Sequence, residues 1–194
     1  MVKIINVKGR QVFDSRGNPT VEAEVYLDNG INATAMAPSG ASTGAFEAHE
    51  LRDEDKNYFL GKSVYIAVNN INEKISSSLK GLDPLNQSKI DNILLDLDGS
   101  ENKKNLGANA TLAVSLANSK SASISNKNSL YKNLGKSFSL PNPLMNIVNG
   151  GVHADNDLKI QEFMVRPESA NNFMDAIHKC FLVIQNLKSL LKSK

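Results

Sequence analysis

The chain has 194 residues, with 22 Lys and Arg against 20 Asp and Glu and one cysteine, a size for one ordinary domain or one domain and part of another. Its lysines are scattered rather than clustered, so a formal charge of +2 gives no nucleic-acid footprint, and the lone Cys180 excludes an intramolecular disulfide and fits a reducing compartment. No apolar run approaches the ~20 residues of a membrane span and Met1 to Val7 lacks the apolar core of a secretory signal, so a cytoplasmic protein with no membrane span is expected.

In chain order, Ile4 to Arg10 and Pro19 to Leu27 alternate apolar and polar residues, and Asp14 to Asn18 between them is rich in turn formers, which predicts a hairpin. A second turn at Asp28-Asn29-Gly30 leads to a third strand over Ile31 to Ala37, completing an antiparallel meander. On the second strand Val21, Ala23, Val25 and Leu27 share one face, and Glu22 and Glu24 share the other, where Glu24 is expected to be solvated surface.

The third strand runs into Ala37-Pro38-Ser39-Gly40-Ala41-Ser42-Thr43-Gly44. The glycines let backbone approach a ligand closely, and the hydroxyls of Ser39, Ser42 and Thr43 suit a hard cation or a phosphate. The same residues also make an ordinary surface turn, and their chemistry alone does not choose between the two.

Helices follow at Val64 to Ile75 and Ile90 to Leu97, read from apolar residues at helical spacing, the second starting near Asp83-Pro84. Asp96 to Glu101 has the look of a Ca2+ loop, but Lys103 and Lys104 stand where later ligands belong. Ala108 to Ala122 is rich in small residues and predicts a closely packed helix. A polar stretch from Ser123 to Ser139 reaches Leu140-Pro141-Asn142-Pro143, whose prolines mark a domain boundary. Beyond it, short strands at Leu144 to Val148 and Phe163 to Val165 flank the loop Asn149 to Lys159. Asn171 to Lys192 closes the sequence as an amphipathic helix striped by Phe173, Ile177, Cys180, Ile184, Leu187 and Leu191.

Four stretches together resemble the enolase family: Phe13-Asp14-Ser15-Arg16-Gly17-Asn18-Pro19-Thr20-Val21-Glu22, the loop Ser39 to Gly44 with Glu47-Ala48 and Glu50-Leu51-Arg52-Asp53, Leu106-Gly107-Ala108-Asn109-Ala110, and Asn149-Gly150-Gly151-Val152-His153-Ala154 with Ile160-Gln161-Glu162-Phe163-Met164. The resemblance implies an α+β N-terminal domain over residues 1–134, a three-stranded meander plus helices, followed over 140–194 by the first strands and helix of an incomplete β/α barrel of TIM type. A complete eight-fold barrel needs about 250 residues.

It further implies Mg2+-dependent dehydration of 2-phosphoglycerate to phosphoenolpyruvate, in a family that works as homodimers. Ser42 is then a ligand of the second Mg2+, Ser39, Gly40, Ala41, Thr43 and Gly44 are the rest of a mobile loop, and His153, Gln161 and Glu162 contact the substrate, Glu162 also supporting loss of the hydroxyl. Arg16 and Glu22 fall at the dimer interface, the cation facing Glu22 lying in a part of the family sequence not found here. The main Mg2+ carboxylates and the lysine base come from later barrel strands, so the chain is expected to be an excerpt or an incomplete product. A truncated interaction module without activity, and another lyase or isomerase of the superfamily, are the alternatives. His49 and His178, without such context, are expected to be structural or exposed.

Overall fold

The computed structural model describes residues 1–40 and 44–193. They form two compact units, Met1–Lys136 and Ser137–Lys194.

In the first unit, β1 (Ile4–Phe13), β2 (Pro19–Leu27) and β3 (Asn32–Ala37) make an antiparallel sheet in the order β1-β2-β3. The expected meander is present. Its first hairpin closes where Asp14 accepts from the backbone of Arg16 and Asn18, with Gly17 at positive φ. Val21, Ala23, Val25 and Leu27 are all buried, as their shared face requires.

Against β1 lies a helical run made of α1 (Tyr65–Asn69), a π segment (Asn70–Ile75) and α2 (Ser76–Leu79). Ala67, Ile71, Ile75 and Leu79 are its buried stripe. The run also covers the outer edge of β1. The Val7 N–H donates to Ser76 Oγ at 3.2 Å, the Gly9 N–H to Asn72 Oδ1 at 2.8 Å, and Asn72 Nδ2 donates to the Gly9 carbonyl at 3.3 Å. An edge strand left bare is a template for pairing, and side chains here stand in for a fourth strand. Glycine at position 9 permits the approach, since a Cβ there would come within 3.0 Å of Ile71 Cβ.

Next come α3 (Gln87–Asp98), capped by Asn86 accepting from the Lys89 N–H, and α4 (Ala108–Ser125). The start of α3 falls three residues beyond Pro84, because Asp83 accepts from the Leu85 and Asn86 backbone in a turn of its own. α4 packs on β2 and β3 with Ala110, Ala113, Val114 and Ala117 inward. Its small side chains let backbones come close, and Asn118, Ser119, Ser121 and Ser123 are buried with them. A short helix, α5 (Leu130–Leu134), occupies part of the polar stretch from Ser123 to Ser139.

The second unit holds β4 (Met145–Asn149), β5 (Glu162–Val165) and α6 (Phe173–Lys192), with β4 and β5 antiparallel. Among the described residues its sheet has these two strands and does not close. Ala176 and Cys180 are the buried positions of α6, whereas Phe173 and Leu191 of the expected stripe are exposed. No helix among the described residues is long and apolar enough to cross a membrane.

Candidate functional site

Each unit brings together one group of the residues singled out by the sequence. In the first unit the strand β3 ends where Thr20 Oγ1 donates to the Ala37 carbonyl at 2.7 Å. Arg16 Nη2 then donates to the Ser39 carbonyl at 2.7 Å, tying the hairpin turn to the base of the loop. The Ser39 hydroxyl donates to Glu50, and Arg52 Nη2 reaches both Ser39 Oγ at 2.8 Å and Glu50 Oε1 at 2.7 Å. Arg52 also donates through Nη1 to the carbonyls of Pro19 and Lys62. Ser39 is therefore held on its carbonyl and its hydroxyl by two different guanidinium groups. Ala41, Ser42 and Thr43 lie outside the described residues.

A strap over residues 49–51 runs beside the start of α4. The His49 N–H donates to the Asn102 carbonyl at 2.7 Å, the Ala108 N–H to the His49 carbonyl at 2.8 Å, and Asn109 bonds both the N–H and the carbonyl of Leu51. This accounts for Gly107-Ala108-Asn109. Gly107 has φ +95°, and a Cβ there would stand 2.4 Å from Asn109 Oδ1 and 2.7 Å from Leu51 Cβ. Between strap and loop base opens a cleft of about 770 Å3, lined by Ser39, Glu47, Glu50, Arg52 and Asn109 among others.

Could these residues hold Mg2+ unaided? The ion wants oxygen ligands in near-octahedral array. Among the described residues no three His, Cys, Asp or Glu side chains converge. Glu50 is committed to Ser39 and Arg52. The described donor set does not fit the ion by itself.

In the second unit the β4–β5 connection is a tightly bonded loop. The Gly150 N–H donates to the Gln161 carbonyl at 2.9 Å, the Gly151 N–H to the Leu158 carbonyl at 2.7 Å, and the His153 N–H to the Gly150 carbonyl at 3.1 Å. A Cβ at position 150 would meet the Ile160 carbonyl oxygen at 2.5 Å and Leu158 Cβ at 2.6 Å. Two adjacent glycines let the loop fold flat on the start of β5. That folding sets His153 against the residues it was grouped with: its Nδ1 lies 3.2 Å from Glu162 Oε1 and its Nε2 lies 2.7 Å from Gln161 Nε2.

The sequence did not disclose the ionic cluster on the outer face of the meander. Arg10 Nη1 donates to Glu22 Oε1 at 2.9 Å, Arg10 Nη2 bonds Glu24, and Tyr26 Oη donates to Glu24 Oε2 at 2.6 Å. Glu24 is thus not solvated surface: its side chain is 12% exposed and its charge is met within the chain. The Arg10 guanidinium, then the Tyr26 hydroxyl, hold its carboxyl below the usual range, and the carboxylate in turn raises the Tyr26 phenol. Glu22 likewise has a cation on its own chain in Arg10. The hairpin register pairs Arg10 with Glu22 and Lys8 with Glu24, and that spacing was the readable signal.

His49 and His178 are both exposed. Asp98, in the stretch that looks like a Ca2+ loop, is buried and ties the α3–α4 loop together by accepting from the Ser100 and Leu106 backbone. Burial pushes its carboxyl up, but donors from Ser100 and the Leu106 N–H outweigh this and hold it below the ordinary value.

Comparison with known proteins places these features in context. The family model described as the enolase N-terminal domain matches residues 4–134, and that of the enolase C-terminal TIM barrel domain matches residues 137–194. An enolase from Pelagibacter ubique (strain HTCC1062) is 55% identical over 199 aligned residues, which take in 100% of this chain and 47% of the relative. The chain spans about half the length of the curated relative it matches.

Proposed function

Because this chain belongs to the enolase family, we propose that it serves the reversible, Mg2+-dependent dehydration of 2-phospho-D-glycerate to phosphoenolpyruvate, a lyase step of glycolysis carried out in the cytoplasm. The observation that supports this best is the meeting of His153, Gln161 and Glu162 across the β4–β5 loop, three residues far apart in chemistry and brought to one point by two glycines.

In this reading residues 1–134 act as a capping domain and 140–194 begin the barrel. His153 and Gln161 bind substrate, and Glu162 also serves as a catalytic group toward the departing hydroxyl. Removing a proton beside a carboxylate leaves a doubly charged enediolate, which divalent metal stabilises when bound. Ser42 offers one oxygen to such an ion, with Ser39, Gly40, Ala41, Thr43 and Gly44 completing its loop. The carboxylates and the lysine base are to come from outside these 194 residues, so the proposal concerns the protein that unites them with this chain. Homodimerisation through the meander, with Arg16 and Glu22 at the interface, belongs to the same reading.

The test is the intact mass and activity of the native protein, recovered with an antibody to the meander. A species near twice 21.1 kDa that forms phosphoenolpyruvate from 2-phosphoglycerate only with Mg2+ supports the reading. In that protein Ser42→Ala should lower turnover and raise the Mg2+ concentration needed for half activity. Equal rate and equal Mg2+ dependence would remove Ser42 from the metal.

A second reading has one observation in its favour. Phe181, Leu182, Leu190 and Leu191 of α6 are exposed, apolar side chains that a partner could cover. A native species at 21.1 kDa without activity would favour an interaction module.

A further inference from the structure

The His153 ring is bracketed on both nitrogens by successive residues of one segment. Nδ1 faces the Glu162 carboxylate at 3.2 Å and Nε2 faces the Gln161 side-chain amide at 2.7 Å. An ionised carboxylate has only lone pairs to offer, so the hydrogen in the first contact belongs to Nδ1. A neutral imidazole with its hydrogen on Nδ1 has a bare lone pair on Nε2, and the amide nitrogen placed there is a donor that matches it. The two contacts therefore agree on a single arrangement.

We propose that Glu162 is a positioning residue for His153: it fixes the Nδ1–H tautomer, so that Nε2 is presented as a hydrogen-bond acceptor, with Gln161 holding that position until a ligand group takes it. The group that replaces the amide is then a donor, a substrate hydroxyl rather than an anionic oxygen. This rests on the reading of the β4–β5 loop as a substrate site. It adds a role for Glu162 that is exerted through the imidazole rather than directly on the reacting atoms.

The arrangement has a structural cause. The His153 backbone N–H is bound to the Gly150 carbonyl, and Gly150 is bound to Gln161, so the loop and the start of β5 move as one piece. Any shift of the loop relative to Gln161 and Glu162 would break both ring contacts together. Carboxylate partners of this kind commonly set which imidazole nitrogen is available.

Nitrogen-15 NMR of the histidine ring nitrogens in the native, ligand-free protein reads the tautomer directly. His153 is assigned by its loss in His153→Gln. At neutral pH its Nδ1 should resonate as a protonated, pyrrole-like nitrogen and its Nε2 as a bare, pyridine-like one. Glu162→Gln, which retains a carbonyl oxygen to accept, should keep that pattern, and Glu162→Ala should invert it toward the Nε2–H form. An Nε2–H tautomer in the unaltered protein would overturn the proposal, and so would a pattern unmoved in Glu162→Ala. The readout needs no turnover, so a failed dehydration assay and a failed tautomer assignment remain separate results. Addition of 2-phosphoglycerate should move the Nε2 resonance as the amide is displaced; an Nε2 that turns protonated on the anion would refute the acceptor role.

Discussion

Arg10→Met tests whether the outer face of the meander is held by charge. Arg10 makes two charge-assisted bonds, to Glu22 and Glu24, each of a kind that contributes roughly 1.5–3 kcal/mol. The Arg10 side chain is 34% exposed, so solvent screens a good part of that sum, and a net loss of about 2 kcal/mol at neutral pH is expected. Methionine retains the apolar stem lying on the sheet, which confines the change to the charge. What remains is Glu24, nearly buried, with the Tyr26 hydroxyl as its donor.

The pH dependence gives the sharper signature. The folded protein holds the Glu24 carboxyl below its ordinary value of 4.5, so its contribution is present above about pH 4.5 and is lost as pH falls through the lower folded value. The gap between Arg10→Met and the unaltered protein should therefore be widest near neutrality and narrow in acid, as pH falls through the lowered Glu24 value and the carboxyl no longer needs its cation. Adding Glu24→Gln to Arg10→Met should recover part of the loss. Chemical unfolding followed by far-ultraviolet circular dichroism at the two pH values reads the difference. Curves that coincide at neutral pH, or a gap of the same size at both, would refute the account.

Two further outcomes follow from close contacts and caps. Gly150→Ala should destabilise the β4–β5 loop by about 1–3 kcal/mol, since the new Cβ meets backbone oxygens of Ile160 and Leu158 that cannot move independently; faster amide exchange at Gly150 and Gly151 would report it, and unchanged exchange would count against it. Asp98→Asn should cost about 1–3 kcal/mol at neutral pH, because the amide keeps an acceptor for only one of the Leu106 and Ser100 donors and turns its own N–H groups toward the other. Since the Asp98 carboxyl is held low, that deficit should be full above the ordinary value of 3.8 and fade as pH falls through the lower folded value.

How far these features were legible depends on whether they are written in period or in contact. The meander was, because Val21, Ala23, Val25 and Leu27 repeat at the period of a half-buried strand. The helix over Ala108 to Ala122 was readable from its small residues, although the buried Asn118, Ser119 and Ser121 have no apolar period to announce them. The π segment was not legible at all. Asn72 within it and Ser76 just after it bond the Gly9 and Val7 edge, and no local propensity encodes a partner more than 60 residues away. The start of α3 was misplaced for a related reason: Asp83 had two local roles open to it, and the cap belongs to Asn86.

The candidate site divides along the same line. Its residues were named from motifs, while the bonds among them depend on backbone geometry that motifs do not express. Glu24 was assigned to solvent because alternation says only which face a residue takes, and says nothing of whether that face already holds a counter-charge. Arg10 supplies one from the paired strand, and the pairing register decides it. His153 shows the converse. Its neighbours in sequence are Val152 and Ala154, neither able to orient a ring, and both of its ring partners come from the far side of the loop. What sets the histidine's chemistry is thus the pair of glycines that allow the loop to lie flat. A substitution at Gly150 should disturb the tautomer of His153 as surely as one at Glu162, though it removes no polar atom from the ring. A ring pattern that survived Gly150→Ala intact would mean that the imidazole is held by something other than this fold of the loop.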